Sequence, residues 1–222
     1  MVQTDLGDNR GGLVKGKFIT IEGGEGAGKS TNIPTIELFL QTEGIEYILT
    51  REPGGTQMAE EIRKLLLSPR KEPVSGLTEL LLMFAARSQH LEEVIKPALE
   101  CGKYVLCDRF IDATYAYQGG GRNLDPGIIR TLEKLVLKDI HPDLTILFDI
   151  DPVAGLQRAR TRGELDRFEN EELDFFGRVR AAYLEIAKSD PMRCAVIDGS
   201  KSQYIVAEEL KNILRIRLPN DA

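Results

Sequence analysis

Gly23, Gly24, Glu25, Gly26, Ala27, Gly28, Lys29 and Ser30 fit the pattern G-x-x-x-x-G-K-[ST], with Thr31 next in line. Glycines let the backbone turn successive N–H groups toward phosphate oxygens, and a helix opening there adds its positive end. Lys29 is placed to reach the β- and γ-phosphates, and the Ser30 hydroxyl to ligate Mg²⁺. The run sits between a β-branched segment and a helical one, the context this chemistry requires. It predicts a nucleoside triphosphate and leaves its use open.

A second set of charges falls where strands end. Arg51 closes one apolar run, and Asp108 and Arg109 close another. Two guanidinium groups suit a dianionic phosphate, because each planar fork binds two oxygens. Asp108 has the position of an acid that holds Mg²⁺ directly or through water, and Asp149 at the end of a fourth strand competes for that role. The N-K-x-D string of guanine-binding switches is absent, and the D-x-x-G match at Asp174–Gly177 falls inside a helical pattern. A small-molecule kinase is the class that remains.

The composition sets bounds on these readings. With 42% hydrophobic and 29% charged residues, 222 positions bury a core without staples, and one domain is expected. A net charge of −6 argues against a nucleic-acid-wrapping or anionic-membrane surface. The longest apolar run, Leu80–Ala86, is too short to span a bilayer. Cys101, Cys107 and Cys194 make neither a zinc pattern nor a disulfide framework, which fits a cytoplasmic chain. Two histidines leave little room for a multi-His metal site or a Ser-His-Asp hydrolase.

The elements that must position these groups alternate. Strands are predicted at 17–22, 45–52, 103–108, 143–150 and 193–198. Helices are predicted at 29–42, from the N-cap Thr56 to 67, over 78–100 with a break near Pro97, and at 126–138, 152–162, 171–188 and 202–216. The glycines Gly119–Gly121 read as loop, and residues 1–15 as a polar tail. Alternation of this kind predicts an α/β fold, a five-stranded parallel sheet with helices on both faces, over 16–218. Its ligands bind outside the C-terminal strand ends.

TREPGGT (Thr50–Thr56), LLMFAAR (Leu81–Arg87), DRF with AYQGGGR (Asp108–Arg122) and RARTRGELDRFE (Arg158–Glu169) together resemble the thymidylate kinase family. The resemblance covers about nine-tenths of the chain. It implies the three-layer P-loop NTPase fold with a short lid at about 158–170, and the ATP:dTMP phosphotransferase reaction. It further implies that Arg51 and Arg109 hold the dTMP phosphate and that Phe84 stacks on the base while Arg87 bonds its edge. Thr114 and Gln118 would read the base or its surroundings, and Tyr117 would pack near the deoxyribose. Glu25 marks a subgroup with an acidic P-loop residue facing dTMP and an arginine-rich lid, here Arg158, Arg160, Arg162 and Arg167. Lys29, Asp108, Arg109, Arg160 and Arg162 are then the catalytic set, Ser30 and Asp108 the Mg²⁺ ligands, and a homodimer the assembly, with the apolar stretch Thr78–Ala86 as a source of its face. One departure matters: many relatives space the stacking residue and the arginine four apart, which makes Met83 the alternative to Phe84. On pattern alone, Phe84 reads as core and the lid arginines as a salt-bridged surface.

A phosphate monoester has its second pKa near 6 and arrives largely dianionic, so no histidine is needed to deprotonate it. A hydroxyl acceptor would instead need a general base, with Asp108 the candidate. A kinase for another monophosphate and a non-catalytic ATP-binding module are the rival readings.

Overall fold

Five short β-branched runs form β1 (Phe18–Glu22), β2 (Tyr47–Arg51), β3 (Tyr104–Asp108), β4 (Leu144–Asp149) and β5 (Cys194–Asp198). All pair in parallel, in the order β2-β3-β1-β4-β5. The computed structural model describes residues 16–161, 167, 168 and 171–218. The expected tail at 1–15 and the lid positions Arg162, Glu164, Asp166 and Glu169 lie outside them.

The strands are apolar on both faces because helices cover both. Ile19, Ile21, Leu106 and Ile146 point to one side, where α1 (Lys29–Thr42) and α9 (Gln203–Arg217) supply Ile36, Leu40, Leu210 and Leu214. Phe18, Val105 and Cys107 point to the other, against Leu80 and Phe84 of α3 (Gly76–His90) and Ile129 of α6 (Pro126–Leu137). Each such side chain fully buried contributes about 1.5–3 kcal/mol. A third cluster joins Leu147 of β4 to Phe175, Val179 and Tyr183 of α8 (Leu173–Ser189).

Helix starts follow the sequence signals. Thr56 accepts the Ala59 N–H at the head of α2 (Gln57–Leu67), Ser75 caps α3, and Asp125 with Pro126 opens α6. Asp151 and Pro152 do the same for α7 (Pro152–Arg160).

The helix expected over 78–100, with its break near Pro97, gives way at Leu91–Ile95 to a wide-turn π segment, and α4 (Lys96–Glu100) follows. Pro97 lacks an N–H and its ring crowds the carbonyl four residues back, which the wider turn relieves. A departure from expectation comes at 111–121, where α5 (Ile111–Thr114) runs into another π segment, Tyr115–Gly121. The glycines there serve close packing rather than a loop: a Cβ on Gly121 would run into the Phe175 ring of α8.

The register brings Arg51 beside Asp108, and Asp108 beside Ile21, so the ends of β2, β3 and β1 form one ledge. Strand order reverses around β1, the place where open parallel sheets bind ligands.

Candidate active site

The P-loop leaves β1 and winds into α1. Gly23, Gly26 and Gly28 have φ of +140°, +67° and +100°, values that side-chain-bearing residues rarely adopt. At Gly26 a Cβ would also run into the carbonyl oxygen of Gly155 in α7. Lys29 is buried, and its Nζ donates to the carbonyls of Gly23 (2.9 Å) and Gly24 (3.2 Å), lying along the loop. Burial pushes its pKa below the ordinary lysine value, neighbouring Arg109 pushes the same way, and Glu25, Asp108 and Glu22 oppose them.

Beside this loop a cavity of about 430 Å³ opens over the ends of β1 and β3. Glu25, Lys29, Ser30, Arg87, Asp108, Arg109, Thr114, Tyr117 and Gln118, all expected at the site, line it together. Arg109 stands at φ +68°, a left-handed conformation that costs a non-glycine residue about 1–3 kcal/mol. Glu22 holds the turn by accepting the Phe110 N–H at 2.7 Å and the Tyr183 hydroxyl at 2.8 Å. So turned, Arg109 donates to the Gly23 carbonyl at 3.0 Å and ion-pairs with Glu25. Its guanidinium also lies over the Tyr117 ring, 4.8 Å from the centroid. Burial opposes its charge, but Tyr117, Glu25, Tyr183 and Asp108 outweigh burial, and its pKa rises well above the ordinary arginine value. Burial raises the Tyr117 phenol, which stays neutral and donates to Glu25 at 2.8 Å.

The two candidate metal acids separate clearly. Asp149 is bound bidentately by Arg180 at 2.7 and 2.8 Å and lies away from this cavity. Asp108 lines the cavity and its Oδ1 is buried with no hydrogen-bond partner. An orphaned carboxylate oxygen at a cavity that the exposed Ser30 also lines fits a divalent cation.

Three expected residues are not brought to this cavity. Arg51 is half-exposed on edge strand β2, paired to Glu60 at 3.0 Å. The guanidinium lining the cavity comes instead from Arg63, two turns into α2, which donates to the Pro53 carbonyl at 3.0 Å. Phe84 is core, 3% exposed, and supports the Arg87 guanidinium with its ring at 5.1 Å; Met83 lines the cavity in its place. The apolar run LLLMFAA puts two adjacent positions on neighbouring faces of one helix, and Phe84 takes the inward one. Arg160 is exposed at the end of α7 and does not line the cavity, and Arg162 lies outside the described residues. Arg167 is held by the Leu66 carbonyl and by Glu79, both at under 3 Å, and sets Phe168 against the cavity.

Sequence reasoning missed Arg63, Glu52 and Glu79. Two of them carry a signal: Glu52 lies within TREPGGT, and Glu79 is a carboxylate at the head of an otherwise apolar helical run. Gly26, Ala27, Gly28 and Thr31 border a second groove of about 280 Å³ with Arg158, Gly199 and Lys201.

A phosphate-binding loop, a metal-type acid with one unpartnered oxygen and a cavity lined by Arg63, Arg87 and Arg109 define a P-loop kinase for a small anionic acceptor. The family described as thymidylate kinase matches residues 21–210. The chain is 58% identical over 190 residues to the thymidylate kinase of Hahella chejuensis, covering 86% of this chain and 91% of that one. It is 55% identical over 199 residues to that of Pseudomonas savastanoi, covering 90% and 95%. The crystal structure of thymidylate kinase from Ehrlichia chaffeensis superposes with a TM-score of 0.72 at 36% identity, covering 90% of this chain and 99% of that one. The chain belongs to the thymidylate kinase family, whose reaction is the ATP-dependent phosphorylation of dTMP to dTDP.

Proposed function

We propose that the cavity is the dTMP site and the P-loop the ATP site of that reaction, with phosphoryl transfer passing between Lys29 and Arg109. The observation that carries this is one continuous cavity lined together by Lys29 and Ser30 of the P-loop, by Asp108 and Arg109, and by Arg87 and Gln118. The acceptor phosphate lies against Arg109 and Arg63, and the base meets Arg87, Gln118, Thr114 and Met83. Glu25 and Tyr117 face the sugar. Gly23 through Thr31 cradle the triphosphate, and the second groove beside Arg158 takes the donor base.

The acceptor needs no general base, so the task is to bring two anions together and to neutralise charge in a loose, in-line transition state. Lys29 leaves its two carbonyl partners to meet phosphate oxygens, and Arg109 is already oriented by Glu25 and Gly23. Ser30 and Asp108 would hold Mg²⁺, which when bound neutralises charge on the β- and γ-phosphates. Arg160 or Arg162, expected from the sequence as lid arginines, would add positive charge to this set. Phe168 and Ala159 help exclude water, which limits ATP hydrolysis.

Met58, Leu65, Leu77 and Leu81 leave large apolar side chains exposed on α2 and α3, which supports a homodimer through those helices. No helix of the described residues is long and apolar enough to cross a membrane. The three cysteines are free, which supports a reducing, cytoplasmic setting. A coupled ADP-release assay with dTMP, dUMP, UMP, CMP, AMP and GMP tests the substrate. Turnover is expected to be fastest with dTMP; none with dTMP under any Mg-ATP condition would sink the reading.

A further inference from the structure

Two polar groups that line the acceptor cavity have their orientation fixed by buried carboxylates. Arg87 gives Nε to Glu52 at 2.7 Å and Nη2 to the Phe110 carbonyl at 3.0 Å, and rests between the Phe84 and Phe110 rings. Its Nη1 is buried with no hydrogen-bond partner, a donor without an acceptor. Gln118 gives its amide nitrogen to Glu79 at 2.9 Å. Glu79 is fully buried and also meets Arg122 at 3.2 Å and Arg167 at 2.6 Å. Under two guanidinium groups a carboxylate offers acceptors only, so the amide cannot turn its oxygen toward it.

We propose that Glu79 is a positioning residue for base selection: it pins the Gln118 amide so that the cavity is offered the carboxamide oxygen. Of this pair, Arg87 then has a donor to offer, the unpartnered Nη1, and Gln118 an acceptor, Oε1, with Thr114 also lining the cavity. That pair complements a pyrimidine with a 4-keto oxygen and an N3–H. It opposes cytosine, whose 4-amino group would face the guanidinium and whose N3 lone pair would face the carboxamide oxygen. Sites built on such buried polar pairs reject the mismatched analogue by up to roughly 10⁴–10⁵.

This rests on the proposed placement of the base, and the experiment separates the two. The ratio of kcat/KM for dTMP to that for dCMP is measured in the wild type, in Glu79→Gln and in Arg122→Gln. A wild type without strong preference for dTMP would remove the base placement itself. Given that preference, Glu79→Gln introduces a donor at position 79 and lets the Gln118 amide turn, and the ratio is expected to fall at least about tenfold. Arg122→Gln loosens the same cluster but keeps the carboxylate, so the ratio should stay near the wild-type value while activity on both substrates falls together. A ratio unchanged in Glu79→Gln, or reduced equally in Arg122→Gln, overturns the proposal. Should Glu79→Gln fail to fold, Gln118→Asn withdraws the amide from Glu79 by one methylene with the ion pairs intact. It must lower the ratio as well, and a wild-type ratio there also overturns the proposal.

Discussion

On the proposed assignment, the groups aimed at the triphosphate come mainly from one stretch, residues 23–30, whose Lys29 side chain rests on carbonyls of the same loop. At the acceptor end, Arg87, Arg109 and Gln118 come from separate elements, and each leans on a carboxylate: Glu52, Glu25 and Glu79 in turn. Backbone amides cost nothing to keep near an anion, whereas buried charges carry a desolvation penalty that only close pairing offsets. In the proposed site the donor half is therefore general and the acceptor half specific, with selectivity placed in side chains whose orientation has to be enforced.

This contrast predicts its largest effect at Lys29. Lys29→Ala removes charge that strengthens as the γ-phosphoryl group departs, and kcat is expected to fall by roughly 10³ or more, about 4 kcal/mol. The fall should be the same for every acceptor the enzyme uses. Steady-state kinetics with dTMP and dUMP check this, and a loss confined to one of them would place Lys29 in the acceptor half instead.

A smaller effect is expected at the acceptor arginines, and there it should be lopsided. Arg63 lines the cavity, while Arg51 sits half-exposed against Glu60. Arg63→Ala is expected to raise KM for dTMP roughly 10- to 100-fold with KM for ATP nearly unchanged, the scale of one charge-assisted contact. Arg51→Ala loses a surface ion pair of about 0–1 kcal/mol and should change either constant less than about threefold. Binding calorimetry with each nucleotide decides the point: an Arg51 effect on dTMP larger than that of Arg63 would show that the acceptor phosphate lies toward β2.

The same contrast explains what could be read from the sequence. All five strands and the helices from α1 to α9 other than α5 follow from local patterning, because each run is apolar on the faces it buries. The P-loop is legible because its function is a backbone conformation, which glycines at fixed spacing announce. The acceptor half depends on which side of a helix turns inward, and one residue of phase decides it. That is why Phe84 falls in the core while Met83 faces the cavity, and why Arg63, without any motif around it, escapes notice. The segment at 111–121 hides for a different reason: Gly119–Gly121 look like loop but provide the close approach to α8 that holds Tyr117 and Gln118 in place.

The smallest expected effect tests the cost of the acceptor half directly. Glu22 is fully buried; burial foremost, then Asp112, lifts its pKa from 4.5 to about 7, against the pull of Arg109, Tyr183 and the Phe110 N–H. The folded chain thus keeps a proton that the unfolded chain has released, so stability is fullest below the unfolded value. It declines as pH rises through the folded one. Between pH 6 and 8 the loss attributable to Glu22 is about 1 kcal/mol, or roughly 2–4 °C in Tm for a chain of this size. Glu22→Gln keeps the shape and one acceptor for the Phe110 N–H but has nothing to ionise. Calorimetric melting across that range should therefore give a flatter profile in the variant. Parallel profiles would mean that Glu22 is charged in the fold throughout, and that the turn presenting Arg109 is held by a carboxylate rather than by a neutral acid.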